Sequence, residues 1–173
     1  MSKNVKNIEK VLKSIKKFGI DAEKTIDDIT GANALEIAKN SKQRVPKDKG
    51  KLAQSIYSNK EAEMFYSIIV GLDYGAYIEF GTGKQVQVPS ELKELASSFK
   101  GGKGSFKDGL ESIKDWCRSK GIDEKAAYPI FMSILDKGIT PQPYLYPSLV
   151  QGRKQYLKDL KDYLKELTNK YNK

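Results

Sequence analysis

Val5, Ile8, Val11, Leu12, Ile15 and Phe18 recur at steps of three and four residues. That spacing lays one apolar stripe along a helix. Gly19 is expected to end this helix, and Asp21 to cap a second one carrying Ile26, Ile29, Leu35 and Ile37 as far as about Arg44. Gly31 weakens the middle of that second helix by about 1 kcal/mol relative to alanine and predicts a kink there. Pro46 stops it and biases Val45 toward extended geometry, and Lys47-Asp48-Lys49-Gly50 reads as a turn.

The pattern then changes. Ala53–Ser58 and Phe65–Val70 are rich in β-branched and aromatic residues, which predicts two strands of a hairpin or meander joined by the polar segment 59–63. Tyr74–Phe80 reads as a third strand or as a short helical turn, because so few residues do not distinguish the periods. From Pro89 the helical pattern returns. Ser90 is placed to cap a short helix through Leu92 and Leu95, and Ser105 with Asp108 forms an S-x-x-D capping box. The next helix puts Leu110, Ile113 and either Trp116 or Cys117 on one side and closes at Gly121. Asp123 caps another, with Tyr128, Ile130, Phe131, Ile134 and Leu135, ending at Gly138. Pro129 predicts that this helix is kinked or starts late. Pro141, Pro143 and Pro147 predict an extended segment, TPQPYLYPSL. A last amphipathic helix holds Tyr156, Leu157, Leu160, Tyr163, Leu164, Leu167 and Tyr171. The expected fold class is α+β: a small antiparallel sheet packed with N- and C-terminal amphipathic helices and a helical insertion.

A length of 173 residues with 39% hydrophobic content suits one domain with a buried core. No apolar run approaches the ~20 residues of a membrane helix, so no membrane partner is expected. The N-terminus alternates lysine with apolar residues, which reads against a secretory leader. Cys117 is the single cysteine, so no intrachain disulfide forms. Its neighbourhood holds no base, and a buried small hydrophobe is the simpler reading. The chain has no histidine, the residue most used as general base and metal ligand near neutral pH. That removes Ser-His-Asp triads, Cys-His pairs and His-ligated zinc, and no cofactor signature takes their place.

The net charge of +9 sits at the two ends. Residues 1–20 carry six lysines and one glutamate, and residues 153–173 carry seven basic and three acidic residues, leaving the middle neutral. Two solvated lysine-rich helix faces explain this, and contact with DNA or an acidic protein surface is the sharper alternative. Arginine is scarce (Arg44, Arg118, Arg153). Base-specific readout favours arginine, so any DNA contact is expected to be non-specific.

Three short motifs stand out. The run Gly101-Gly102-Lys103-Gly104 lacks the G-x-x-x-x-G-K-[ST] spacing and the preceding strand of a phosphate loop and reads as a linker. The stretch Tyr74–Gly83, YGAYIEFGTG, brings aromatic surface, one acid and a glycine turn. Glu79 has no partner carboxylate at a recognisable spacing. It is suited to accept backbone N–H bonds from the Gly81-Thr82-Gly83 turn, or to pair with a base on a neighbouring subunit. A hydrolase using Glu79 with Asp73 or Asp48 is the enzyme alternative. Finally, Pro143-Tyr144-Leu145-Tyr146-Pro147 lacks PxxP spacing and reads as a stiffened strap laid on a sheet or a neighbour.

The order of these motifs resembles the tail-completion or neck (head–tail joining) protein family of tailed bacteriophages. Members show P-x-D-x-G-x-L, then Y-A-x-x-x-E-F-G-T, then P-F-L-x-P. Pro46, Asp48, Gly50 and Leu52 match the first, Tyr74, Ala76, Glu79, Phe80, Gly81 and Thr82 the second, and Pro143, Tyr144, Leu145 and Pro147 the third. Gly75 separates the tyrosine from the alanine, Tyr144 stands for the usual phenylalanine, and the segment between Thr82 and Pro141 is long. The resemblance implies one tail-completion-like domain over 1–173, with a helical insertion at about 84–138. It implies a virion structural protein of the phage neck or tail, made in the host cytoplasm, without catalytic chemistry. Expected partners are copies of itself in a ring, commonly sixfold, the connector or head-completion protein, and the tail-terminator or tail-tube protein, with weak contact to DNA in the channel. The subunit-contact residues expected on this reading are Tyr74, Tyr77, Glu79, Phe80, Gly81, Thr82, Pro143, Tyr144, Leu145, Tyr146 and Pro147. Placing Phe80 in such a surface carries the expectation that a charge there spares the monomer. The alternative function is a non-specific nucleic-acid-binding domain using the lysine-rich terminal helices.

Overall fold

The computed structural model describes residues 3–46, 50–72, 74–98 and 105–171, with side chains for all of these except 3–7, Ser98 and Tyr171. Lys47–Lys49 of the expected turn, Asp73 and the glycine-lysine run at 101–104 lie outside the described residues, as do the side chains of Val5 and Tyr171. The chain divides into two compact units, residues 1–71 with 144–173, and residues 72–143.

The first unit is built on two long helices, α1 (Lys3–Arg44) and α7 (Leu145–Tyr171). They run antiparallel, because Asn33 Nδ2 donates to the Gly152 carbonyl at 2.9 Å while Thr30 Oγ1 and the Tyr156 hydroxyl share a bond of 3.2 Å. Gly152 makes the close approach possible: a Cβ there would overlap Ile37. Ala34, Ile37, Ala38 and Ser41 of α1 and Ser148 of α7 are buried. Both serines spend their hydroxyls on their own helices, Ser41 on the Ile37 carbonyl and Ser148 on that of Tyr144, so neither hydroxyl is orphaned.

α1 is continuous through Gly19 and Gly31, which corrects the two-helix expectation. Neither glycine takes a left-handed conformation, and capping propensity is a weak signal beside a continuous apolar stripe. Gly31 serves packing rather than a kink. It is buried under Tyr66, whose hydroxyl lies 2.9 Å from where a Cβ would stand.

That tyrosine belongs to the hairpin. After a single helical turn, α2 (Lys51–Gln54), which buries Leu52, come β1 (Ile56–Ala62) and β2 (Phe65–Val70). They pair antiparallel from Ile56 opposite Val70 to Ala62 opposite Phe65, with a bulge between Lys60 and Ala62. β2 has the expected bounds. β1 starts three residues late and continues through the polar segment expected to be the connection, since pairing along all of β2 recruits Asn59 and Lys60 whatever their propensity. Met64, at φ 55°, makes the turn. Hairpin and α1 are tied by Asp27, which accepts from Lys60 Nζ at 2.5 Å and from the Met64 N–H at 2.9 Å. The Lys60 ammonium and this N–H hold the Asp27 carboxyl below its ordinary range, and Asp27 in turn raises Lys60.

The α+β expectation holds: one two-stranded antiparallel sheet accompanies the helices. The stretch expected to form a third strand does not, because Gly75–Phe80 is helical (α3). The second unit continues with α4 (Lys93–Ser98), α5 (Phe106–Lys120) and α6 (Ala127–Lys137). Ser105 caps α5, its Oγ accepting from the Asp108 N–H at 3.1 Å, and Gly121 ends it in the left-handed conformation. Asp123 caps a 3₁₀ turn at Glu124–Ala126, so α6 starts late and Pro129 falls in its first turn, where no intrahelical donor is needed. α5 and α6 meet where the Phe131 ring crosses Gly109 and stands edge-on to Phe106, ring centres 5.0 Å apart. Cys117 is fully buried, as read from the sequence, and Trp116 is on the solvent side.

Candidate functional site

The YGAYIEFGTG stretch folds as α3 followed by a tight glycine loop. Tyr74 stands at the N-terminal boundary of α3 and is exposed, Tyr77 is half-buried, and Glu79 and Phe80 are buried, 4% and 8% exposed. The helix ends because Gly81 adopts φ 76°, ψ −177°, a conformation open essentially to glycine alone.

Beyond Gly81 the loop enters a clasp between two motifs that lie more than fifty residues apart in sequence. The Thr82 N–H donates to the Ile139 carbonyl at 3.0 Å, and the Ile139 N–H returns a bond to Thr82 Oγ1 at 2.8 Å. One step back, the Gln142 N–H donates to the Ile78 carbonyl at 2.8 Å, and the Gln87 N–H to that of Phe80 at 2.9 Å. The two chains approach too closely for side chains on either facing glycine. A Cβ on Gly81 would lie 2.7 Å from the Ile139 oxygen and 2.9 Å from Pro141 Cδ. One on Gly138, at φ 85°, would overlap the Thr82 carbonyl. Thus the sequences EFGTG and GITPQP form one rigid substructure. The Gly81 and Thr82 N–H groups are spent on the Tyr77 and Ile139 carbonyls, so those two donors do not serve Glu79 as expected.

The outer side of this substructure is a groove of about 620 Å³. Its lining includes Tyr77, Phe80, Thr82, Val86, Val88, Lys93 and Ala96. Val86 is 52% exposed. Val86 and Val88 carry no recognisable motif, and sequence reasoning missed them. Their only signal is an apolar pair beside Pro89 in a polar stretch.

The proline strap is placed differently from expectation. Residues 139–143 belong to no helix or strand, and α7 begins at Leu145 and takes Tyr146 and Pro147 into its first turn. A proline there removes only an N–H that has no intrahelical partner. Pro143 is exposed, Tyr144 is almost fully buried at 1% exposure, and Leu145, Tyr146 and Pro147 are half-buried. Pro143 closes the second unit and Tyr144 opens the return to the first.

Among the described residues no group of three or more His, Cys, Asp or Glu side chains is arranged to hold a metal ion, and no helix is long and apolar enough to cross a membrane. Asp48 and Asp73, the acids that would accompany Glu79 in a hydrolase, lie outside the described residues.

Residues 9–81 match the HK97-gp10-like family, described as "Bacteriophage HK97-gp10, putative tail-component". The matched stretch holds most of α1, then α2, the hairpin, α3 and Gly81. The resemblance to a tailed-phage protein family is therefore shown, and the matched residues include the first motif and the second as far as Gly81. The match stops before Thr82 and does not reach Pro143–Pro147. No curated protein and no solved structure matches the chain.

Proposed function

We infer that this protein is a structural component of a phage tail, located in the virion, that completes the tail and joins it to the capsid connector as part of an oligomeric ring. The observation that carries the tail role is the family match over residues 9–81. The ring, taken as a hexamer, and the head–tail junction extend it by way of the motif order. On this reading the helices at about 84–138 are an elaboration of one tail-completion-like domain.

The groove of the second unit supports a contact role. Its lining is aliphatic and aromatic, its position is held by the Thr82–Ile139 clasp, and a rigid apolar recess is what a neighbouring subunit's side chains need as a socket. Head-to-tail rings require two different complementary surfaces. We assign the groove lined by Tyr77, Thr82 and Val86 to one and the exposed approach to the Pro143–Pro147 segment to the other, with connector, terminator or tube proteins above and below the ring. Nothing in this role calls for a reaction, and a protein acting by contact alone needs neither cofactor nor base.

Val86→Lys tests the assignment better than a change at Phe80. Phe80 is buried, so a charge there would disrupt the unit itself, against the expectation that the monomer survives it. Val86→Lys is expected to leave the circular dichroism spectrum unchanged, to abolish rings seen by native mass spectrometry or electron microscopy, and to leave tails unjoined to heads in complementation. Normal joining by the variant would remove the groove from the interface.

A further inference from the structure

The far end of the helix pair in the first unit carries an apolar groove that the tail role above does not use. The hairpin meets α1 around Asp27 and Gly31; N-terminal to that point α7 is the long element that shares a groove with α1. Between them opens a groove of about 570 Å³ lined by Val11, Ile15 and Phe18 of α1 and Leu164 and Leu167 of α7. Ile15 is 60% exposed and Leu164 58%. Two helices side by side with a shared apolar furrow are a three-helix arrangement lacking its third member.

Charge indicates what that member is. All of the net charge of +9 comes from residues 1–20 and 153–173, the segments that supply both walls. Lys10 lines the groove. By helical spacing Lys17, seven residues on, continues the same edge, and Lys161, three before Leu164, stands on the opposite one. Asp162 and Glu166, four apart, fall on the far side of α7. A second copy of this chain would bring the same positive charge to the furrow. Nucleic acid would use the lysines but gains nothing from an apolar floor. A lipid surface is met by a convex apolar face, not by a furrow between two helices.

We propose that this furrow docks an amphipathic helix of another protein, with apolar residues at heptad spacing and acidic residues flanking them. The proposal does not depend on the ring assignment above, since it uses different residues.

The test uses the full-length protein and two synthetic three-heptad peptides, both with leucine at the core positions, one flanked by glutamate and the other by lysine. Fluorescence anisotropy is expected to show the glutamate peptide binding and the lysine peptide not. Ile15→Lys or Leu164→Lys, which adds positive charge but removes an apolar anchor, should weaken the glutamate peptide by about tenfold or more. Lys10→Glu with Lys161→Glu should weaken it as well and admit the lysine peptide. All four changes are at exposed positions, and circular dichroism verifies folding. Equal binding of both peptides overturns the proposal. So does indifference to Ile15→Lys and Leu164→Lys. Failure to bind either peptide also overturns it, whether the protein then attaches to phosphatidylserine vesicles, to duplex DNA or, by ultracentrifugation, to itself.

Discussion

Replacing Gly81 by alanine is a demanding test of the clasp. At φ 76° and ψ −177° a residue with a Cβ is strained by about 1–3 kcal/mol. The added methyl would sit 2.7 Å from the Ile139 oxygen, 2.9 Å from Pro141 Cδ and 3.0 Å from the Gln85 oxygen. Two of those three are backbone atoms already committed to hydrogen-bonded loops, so relief requires the loops to separate, at a further cost of about 1–3 kcal/mol typical of overpacking. Alanine recovers roughly 0.4–1 kcal/mol by restricting the unfolded chain. The net expectation is destabilisation of about 1–5 kcal/mol, borne by the second unit. Trp116 is the sole tryptophan and lies in α5 of that unit, so its fluorescence during urea unfolding reports the unit directly. Far-UV circular dichroism is dominated by α1 and α7 and reports the other. Gly81→Ala should shift the tryptophan transition to lower urea and leave most of the dichroism transition in place. A tryptophan transition at the wild-type midpoint would refute the close packing of Gly81 on Ile139 and Pro141.

Three other changes probe separate parts of the account. Gly19→Ala, in open space on a continuous helix, should stabilise the first unit by about 0.5–1 kcal/mol; destabilisation in thermal melts would mean that α1 breaks there. Thr82→Val removes the acceptor of the Ile139 N–H and should cost about 1–3 kcal/mol in the tryptophan-monitored transition, so an unchanged midpoint would discard the clasp's second bond. Asp27 has a depressed pKa, so its stabilising contribution is complete above the ordinary aspartate value near ~3.9 and is lost as pH falls through the lower folded value. Asp27→Asn should therefore be less stable than wild type at neutral pH, with the gap closing only in acid below about pH 4; a gap independent of pH would show that the carboxylate does not tie Lys60 and Met64.

Much of the local structure was legible because it rests on local chemistry. The Ser105 cap, the left-handed Gly121, the Asp123 turn, the late start forced by Pro129 and the bounds of β2 all depend on a few neighbouring residues. The misreadings share one cause, long-range packing. Gly19 and Gly31 look like breaks only until a continuous apolar stripe and the Tyr66 ring are seen to run across them. Asn59 and Lys60 look like a loop until β2 pairs with them. Pro147 looks like a helix breaker until its place in the first turn of α7 is known. At the candidate site the residues of the EFGTG and GITPQP motifs were each visible, but not that Thr82 and Ile139 bond to one another. Nor did any motif mark Val86 and Val88, because surface apolar pairs acquire meaning only from the recess they face.

Cryo-electron microscopy of the intact phage particle tests the central claim most directly. The account predicts a ring of this chain, six copies, between the capsid connector and the tail tube, with the Tyr77–Val86 groove occupied by a neighbouring subunit. Particles with joined heads and tails that contain no copy of the chain would contradict it.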